Sequence, residues 1–309
     1  MEPLVLTGLK KSYGSLEAVK GISFSVRSGE IFGLIGPDGA GKTTTMRIIV
    51  TLLKADAGEV VFQGRPIAGT VPYVRANIGY MPQRFSLYPD LTVEQNLRFF
   101  GDLFGVPAER QEQRIVRLYQ FSKLEPFKDR PAGQLSGGMK QKLALCCVLI
   151  HEPAVLVLDE PTVGVDPVSR NEFWQIIHEL ASNGTAILVS TAYMDEAAQC
   201  GRVGLMYEGE LLAVDEPKKL VQGYPYPIYH LKTASPYRTY EQLQNTPLKK
   251  CVQLFGSGVH VCDKAKNGAE ALKQRLAGYS VSVDTMTPSV PVLEDVFLEL
   301  MGKRSTEPI

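Results

Sequence analysis

Residues 36 to 43, Gly36-Pro37-Asp38-Gly39-Ala40-Gly41-Lys42-Thr43, fit the phosphate-binding pattern G-x-x-x-x-G-K-[S/T] in full. The glycines let backbone N–H groups close around a polyphosphate where a side chain would clash. Lys42 supplies a point charge for the outer phosphates, and the Thr43 hydroxyl is placed to ligate Mg²⁺. Thr44 follows as the next residue of the same phosphate-facing turn. A second chemical pair is Asp159-Glu160, which ends the apolar run Ala154-Val155-Leu156-Val157-Leu158. At the end of a buried strand, Asp159 is placed to hold Mg²⁺ and Glu160 to polarise an attacking water as general base. A third is Leu135-Ser136-Gly137-Gly138-Met139-Lys140-Gln141. There Ser136 caps a helical run, and Ser136, Gly137 and Gly138 form a second anion-facing helix start. Two phosphate-facing elements in one chain need not meet each other. In a head-to-tail dimer, this one lies on the neighbour's γ-phosphate.

These groups need a scaffold, and the pattern predicts one. Ile31-Phe32-Gly33-Leu34-Ile35 reads as a buried strand entering the loop, and residues 44 to 53 as the helix leaving it. Residues 154 to 158 and 186 to 190 read as further buried strands, with a helix over 169 to 181 between them. That alternation implies an α/β domain with a parallel sheet. Residues 4 to 9, 23 to 27 and 58 to 63 predict a small β-rich start, and 93 to 104 and 108 to 121 predict amphipathic helices. After about residue 222 the character changes at Tyr224-Pro225-Tyr226-Pro227. Beyond it the sequence predicts strands at 228–232, 251–254, 258–262 and 280–284, and helices at 269–276 and 292–301. Gly256-Ser257-Gly258 marks a hairpin turn. This appendage carries no evident chemistry and reads as a packing or dimer-stabilising domain.

The 309 residues are enough for about two domains, and 44% hydrophobic with 21% charged residues is a soluble globular composition. No apolar stretch has the length of a membrane span, and Met1-Glu2-Pro3-Leu4 lacks the basic start of a secretory signal. Lys+Arg and Asp+Glu both number 33, which argues against a general nucleic-acid binder. Cys146, Cys147, Cys200, Cys251 and Cys262 form no C-x-x-C pair and read as reduced thiols rather than zinc ligands.

Taken in order, these motifs resemble the ATP-binding cassette of ABC transporters over about residues 4 to 220. The resemblance implies a P-loop cassette: a RecA-like core, an N-terminal antiparallel β subdomain and a helical subdomain at about 84–150. These make up residues 1–222, with a small C-terminal α+β domain at 223–309. It implies ATP and Mg²⁺ as ligands. Residues 36 to 44 and Ser136 to Gly138 would then contact nucleotide. Tyr13, in Lys11-Ser12-Tyr13-Gly14, matches the aromatic that stacks on adenine. Gln83, after Gly79-Tyr80-Met81-Pro82, matches the glutamine that contacts Mg²⁺ and links to the membrane partner. Metal contacts fall to Thr43, Gln83 and Asp159, and catalysis to Glu160, Gln83 and Lys42. Asp166, in Gly164-Val165-Asp166-Pro167, matches a loop that crosses the dimer interface.

Residues 88 to 93, 190 to 191, 193 to 197 and 293 to 298 are similar to those of bacterial drug, lipid or sodium exporters with separately encoded membrane chains. Gly36-Pro37-Asp38-Gly39 resembles the YbhF-like multidrug exporter group within them. Membrane permease subunits and a second cassette are the implied partners, at the cytoplasmic face of the membrane. Arg84, Phe85, Leu87 and Tyr88 are either the docking site for a permease helix or ordinary packing. Asp38 replaces a commoner Asn at a position facing the dimer partner.

One departure has chemical weight. After Ser190-Thr191 the family carries a histidine bridging the γ-phosphate and the catalytic glutamate, and here the residue is Ala192. Neither His151 nor His178 replaces it by position. A comparable donor is worth about 3–4 kcal/mol, or about 10²–10³ in rate. A heterodimer with a second, related cassette is therefore favoured, with a homodimer as the alternative. A soluble mechanical ATPase and a non-hydrolysing nucleotide-gated module are the competing functions.

Overall fold

The computed structural model describes residues 1–84 and 87–304. Phe85, expected at a docking surface, lies outside the described residues. Two compact units are present, Met1–Val214 and Asp215–Ile309.

The first unit is built on a six-stranded sheet. Its spatial order is Glu210–Asp215, Arg202–Tyr207, Ile31–Ile35, Ala186–Thr191, Val155–Asp159 and Ile78–Met81. The four adjacent pairs from Arg202–Tyr207 to Ile78–Met81 are parallel. Strands Ile31–Ile35, Ala186–Thr191 and Val155–Asp159 are buried at every residue, because both faces are covered. Their register sets Ile35 beside Thr191 and Asp159 beside Ser190. Three neighbouring strands therefore deliver three chain ends to one place: the glycine loop, residues 190 to 192, and Asp159-Glu160.

A four-stranded antiparallel sheet covers this one, in the order Leu16–Val26, Leu4–Tyr13, Ala57–Phe62, Arg65–Pro66. One core joins the two sheets. Leu4, Leu6, Val60 and Phe62 meet Met46, Ile49, Val155, Val157 and Leu188, and Phe24 stacks on Phe32 at 4.8 Å. Helix Lys42–Ile49 is held in that core by Met46, Ile48 and Ile49. The helical portion contains Val93–Leu103, Ala108–Ser122 and Gly137–Leu149. Thr92 and Gln95 form a reciprocal capping box at its first helix. Asn96, fully buried, bonds the backbone of Tyr88, Leu91 and Thr92 and so fixes the turn before that helix.

The second unit carries its own antiparallel sheet, in the order Val252–Phe255, Gly258–Cys262, Ile228–Lys232, Thr285–Ser289. Leu231, Val259, Val261, Leu272 and Leu276 form its core. Gly256 turns the hairpin with φ 54°. The strand expected at 280–284 is displaced to Thr285–Ser289. Ser280, at φ 60°, turns the chain out of helix Ala269–Gly278, and Val281 packs back into the core, so extended pairing starts later. The units part ahead of the proline-rich break, because helix Pro217–Gln222 packs on helix Leu293–Arg304.

Candidate functional site

The glycine loop rises from Ile31–Ile35 with Pro37, Asp38 and Gly39 exposed at its crest. Gly41 shows why glycine stands at its base. Its φ is 105°, and a Cβ there would lie 2.3 Å from the Ala18 carbonyl oxygen. The neighbouring strand Leu16–Val26 thus presses directly on the loop. Tyr13 pairs with Leu16 on the same hairpin and is about half exposed, with the Lys11 ammonium over its ring at 5.9 Å. The Gly36 N–H donates to the Thr191 carbonyl at 3.3 Å, tying the loop to the next strand end.

The charged groups meet at the loop's foot. The Lys42 ammonium donates to the carbonyls of Gly36 at 2.8 Å and Pro37 at 3.0 Å, and pairs with Glu160 Oε1 at 3.1 Å. Lys42 is buried, and all three of its N–H donors are thereby used. Glu160 Oε2 accepts from Gln83 Nε2 at 2.9 Å. The Thr43 hydroxyl donates to Asp159 Oδ1 at 3.0 Å. Lys42, Thr43, Gln83, Asp159 and Glu160, drawn from sequence positions far apart, are brought into one bonded cluster. Thr44 stands half-buried one residue further along the helix.

Ser190 is a member of this cluster that the motif reading did not assign a role. Its hydroxyl donates to Asp159 Oδ1 at 2.7 Å and accepts from the Glu160 N–H at 3.0 Å. That second bond helps hold Glu160 at φ 49°, a left-handed backbone costly for a residue with a Cβ. Tyr80 reaches Asp159 Oδ2 at 3.5 Å. Burial, and then the Asp159 charge, push the Tyr80 phenol up to about 12, so it stays a donor. The signal available in sequence was a small hydroxyl residue ending the strand next to the acids. Reading that signal needs the strand order.

Ser136 caps helix Gly137–Leu149 by accepting from the Met139 N–H at 3.3 Å. Ser136 and Gly137 are exposed. Gly138 is buried against the next helix, where a Cβ would meet Ser169 Oγ at 2.3 Å. Asp166 caps that next helix, Pro167–Ser182, through the Ser169 N–H at 2.9 Å. Hydrogen bonds from the Ser169 backbone and hydroxyl hold the Asp166 carboxyl below its ordinary range. Among the described residues, no hydrogen bond or ion pair joins Ser136, Gly137 or Gly138 to the glycine loop. A cleft of about 510 Å³ runs instead from Gln83, Arg84 and Leu87 past Gly137 to Val163 and Gly164. Tyr88 lies half exposed with its ring edge-on to Phe99 at 4.5 Å, while exposed Phe104 stacks on His151 at 3.9 Å. Ala192 is exposed directly after buried Thr191.

Comparison with known proteins agrees with this geometry. A family model described as ABC transporter matches residues 19–163. The probable multidrug ABC transporter ATP-binding protein YbhF of Escherichia coli (strain K12) is 42% identical over 98% of this chain and 53% of its own length. The chain thus spans about half of that relative. The Nod factor export ATP-binding protein I of Burkholderia lata is 35% identical, over 97% of both chains. Among solved structures, an ATP-binding subunit of an ABC transporter aligns with TM-score 0.65 and 28% identity, over 71% of this chain and 92% of that one. The dimeric post-hydrolysis state of the cassette MJ0796, bound to ADP and Pi, aligns with TM-score 0.63 and 26% identity, over 69% and 98%. The P-loop cassette fold is therefore established for the first unit.

Proposed function

The chain belongs to the ABC transporter ATP-binding family, and from that premise we propose that it is the ATP-hydrolysing subunit of an exporter whose membrane subunits are separate chains. Export is the activity named for the Nod factor relative, and YbhF is named as belonging to a multidrug transporter. The observation that carries the reading is the convergence of Lys42, Thr43, Gln83, Asp159 and Glu160 within hydrogen-bond distance at one sheet edge.

The cluster has a chemical logic. With every Lys42 donor engaged, an incoming triphosphate must replace at least one of its partners. Replacing Glu160 gives the phosphate its cation and frees the carboxylate as general base in the same exchange. Gln83 then keeps Glu160 oriented. The oxygen set of Thr43, Asp159 Oδ2 and the Gln83 amide suits Mg²⁺, a hard cation. Asp159 Oδ2 is open to it, since its one protein contact is the long one from Tyr80. The metal would neutralise phosphate charge; the residues named orient it. Tyr13 offers an aromatic face to adenine. Ser136 to Gly138, unconnected to their own chain's loop, complete the site of a second cassette. Tyr88, packed on Phe99 and half exposed, offers an apolar surface for a permease helix, through which the chain would sit peripherally on the membrane. Among the described residues no helix is long and apolar enough to cross a membrane.

We further infer an asymmetric pair. Residue 192 directly follows strand Ala186–Thr191, whose Ser190 hydroxyl touches Asp159 and whose Thr191 carbonyl takes the Gly36 N–H. A methyl group there donates nothing, and this chain's own site turns over slowly while its signature serves the partner. The test is steady-state Mg²⁺-ATP hydrolysis by the purified chain alone, as Ala192→His, and mixed with an ATP-binding chain encoded beside it. Slow turnover that Ala192→His raises by about 10²–10³ supports the asymmetry. Fast turnover alone, with no gain from histidine, establishes a self-sufficient homodimer instead. No hydrolysis in any of these forms refutes the ATPase reading, and undiminished hydrolysis by Glu160→Gln in the most active form refutes Glu160 as its general base.

A further inference from the structure

We propose that Cys251 and Cys262 form a peroxide-sensing dithiol in the second unit, closing to a disulfide when oxidised. The inference does not rest on the nucleotide site. It starts from register. Val252 pairs with Val261 at the open end of the antiparallel ladder between Val252–Phe255 and Gly258–Cys262, so the next opposed positions are Cys251 and Cys262. Cys251 ends the turn Lys249–Cys251, one residue outside the ladder, and so stands one step beyond an opposed pair; a disulfide bridges Cα atoms about 4.4–6.8 Å apart. The turn Lys249–Cys251 lies against strand Gly258–Cys262, and the two thiols shift each other's titration. Both thiols are free in this structure.

The two sulfurs differ in the way an attacking and a resolving thiol must. Cys251 is partly exposed at the end of the turn Lys249–Cys251, whereas Cys262 is buried. Lys264 and Arg275 lend Cys251 positive charge, and Glu299 opposes them while pairing with Lys264 at 2.5 Å. Hydrogen bonding from Cys262 first, then these cations against the cost of burial, bring the Cys251 thiol down to about 7, while Cys262 is pushed up. Cys251 is thereby more ionised at neutral pH than an ordinary thiol, of which a few per cent at most is thiolate. The remaining cysteines supply an internal contrast. Cys146, Cys147 and Cys200 are all buried, and burial raises each of them, Cys146 to about 12.

The chemistry closes with a hydroperoxide as oxidant. The Cys251 thiolate attacks the peroxide oxygen, breaking the O–O bond and releasing an alkoxide, or hydroxide from hydrogen peroxide, which takes up a proton. Cys251 is left as a sulfenic acid. The Cys262 sulfur then attacks the Cys251 sulfur, losing its proton and expelling hydroxide, which leaves as water. Two thiols and one peroxide give one disulfide, one alcohol (or water) and one water. The bond would staple the turn Lys249–Cys251, which packs on helix Leu293–Arg304, to the central hairpin.

The test uses the full reduced chain and hydrogen peroxide near stoichiometry, followed by alkylation and peptide mapping by mass spectrometry. Cys251 should be consumed at least about tenfold faster than Cys146, Cys147 or Cys200, and a Cys251–Cys262 linked peptide should appear with it. Cys262→Ser should stop the reaction at a Cys251 sulfenic acid that dimedone captures. Cys251→Ser should abolish the linked peptide and leave Cys262 reduced. Melting curves of both variants check that the unit still folds, and in the wild-type chain the linked peptide alone decides. Oxidation that spares Cys251, or that proceeds to sulfinic acid without the linked peptide while Cys262 is present, overturns the proposal.

Discussion

Removing one hydroxyl, Ser190→Ala, tests how the site holds its two acids. The side chain has no solvent exposure, and its oxygen makes two bonds: one to the Asp159 carboxylate at 2.7 Å and one from the Glu160 N–H at 3.0 Å. Neither acid is left without a partner. Asp159 Oδ1 keeps the Thr43 hydroxyl at 3.0 Å, and the Glu160 N–H keeps the Ser190 carbonyl at 3.2 Å. The loss is therefore one hydrogen bond to a charged group, worth about 1.5–3 kcal/mol, rather than an orphaned buried charge. If that energy serves to hold the carboxylate and the left-handed Glu160 in working geometry, it is lost from the transition state. At 1.36 kcal/mol per tenfold, turnover falls by about 10- to 150-fold.

The assay is steady-state Mg²⁺-ATPase in whichever background turns over faster, wild type or Ala192→His, with nucleotide affinity measured separately without Mg²⁺. We expect kcat to fall, the Mg²⁺ requirement to rise, and Mg²⁺-free ATP affinity to hold, because Ser190 touches neither Lys42 nor the glycine loop. Ser190→Thr restores the hydroxyl and should recover much of the rate. A purely structural role predicts a lower Tm with the Mg²⁺ requirement unmoved. If Ser190→Ala turns over within about twofold of its parent, the hydroxyl does not position the acids and the reasoning fails.

Two further outcomes follow from single observations. Gly41→Ala puts a Cβ against the Ala18 carbonyl at a φ of 105°, so it should destabilise the first unit by about 1–3 kcal/mol in urea unfolding and weaken ATP binding; normal binding would mean the strand yields to the loop. Asp166 has its carboxyl held below the unfolded value, so its cap contributes fully above the ordinary carboxylate range and is lost as pH falls through the depressed folded value. The Tm gap between Asp166→Ala and its parent should therefore be open at neutral pH and close under acid, and a gap independent of pH would show that the charge is not what caps the helix.

Much of the first unit was legible because its signals are local. An apolar run of five residues before the glycine loop, and another before Asp159-Glu160, can bury both faces only in a parallel sheet, and that is where they lie. Strands Arg202–Tyr207 and Glu210–Asp215 were not predicted: the first opens on an arginine and a glycine interrupts its run, and the second is only half-buried, so neither shows an unbroken apolar stretch. The second unit misled at 280–284, where alternation in Ser280-Val281-Ser282-Val283 resembled a strand. A left-handed Ser280 and a single buried valine decided otherwise, and neither is a property of the local pattern. The same limit explains Ser190. Its neighbours Asp159 and Glu160 lie about thirty residues away in sequence and one strand away in space, so only register could reveal it. Ser190 and Thr191 together tie the glycine loop to Asp159 and Glu160. Ser190 spends its hydroxyl on the acids, and the Thr191 carbonyl takes the loop's first N–H. Ala192, the next residue, is exposed and ends in a methyl group that has no hydrogen bond to donate.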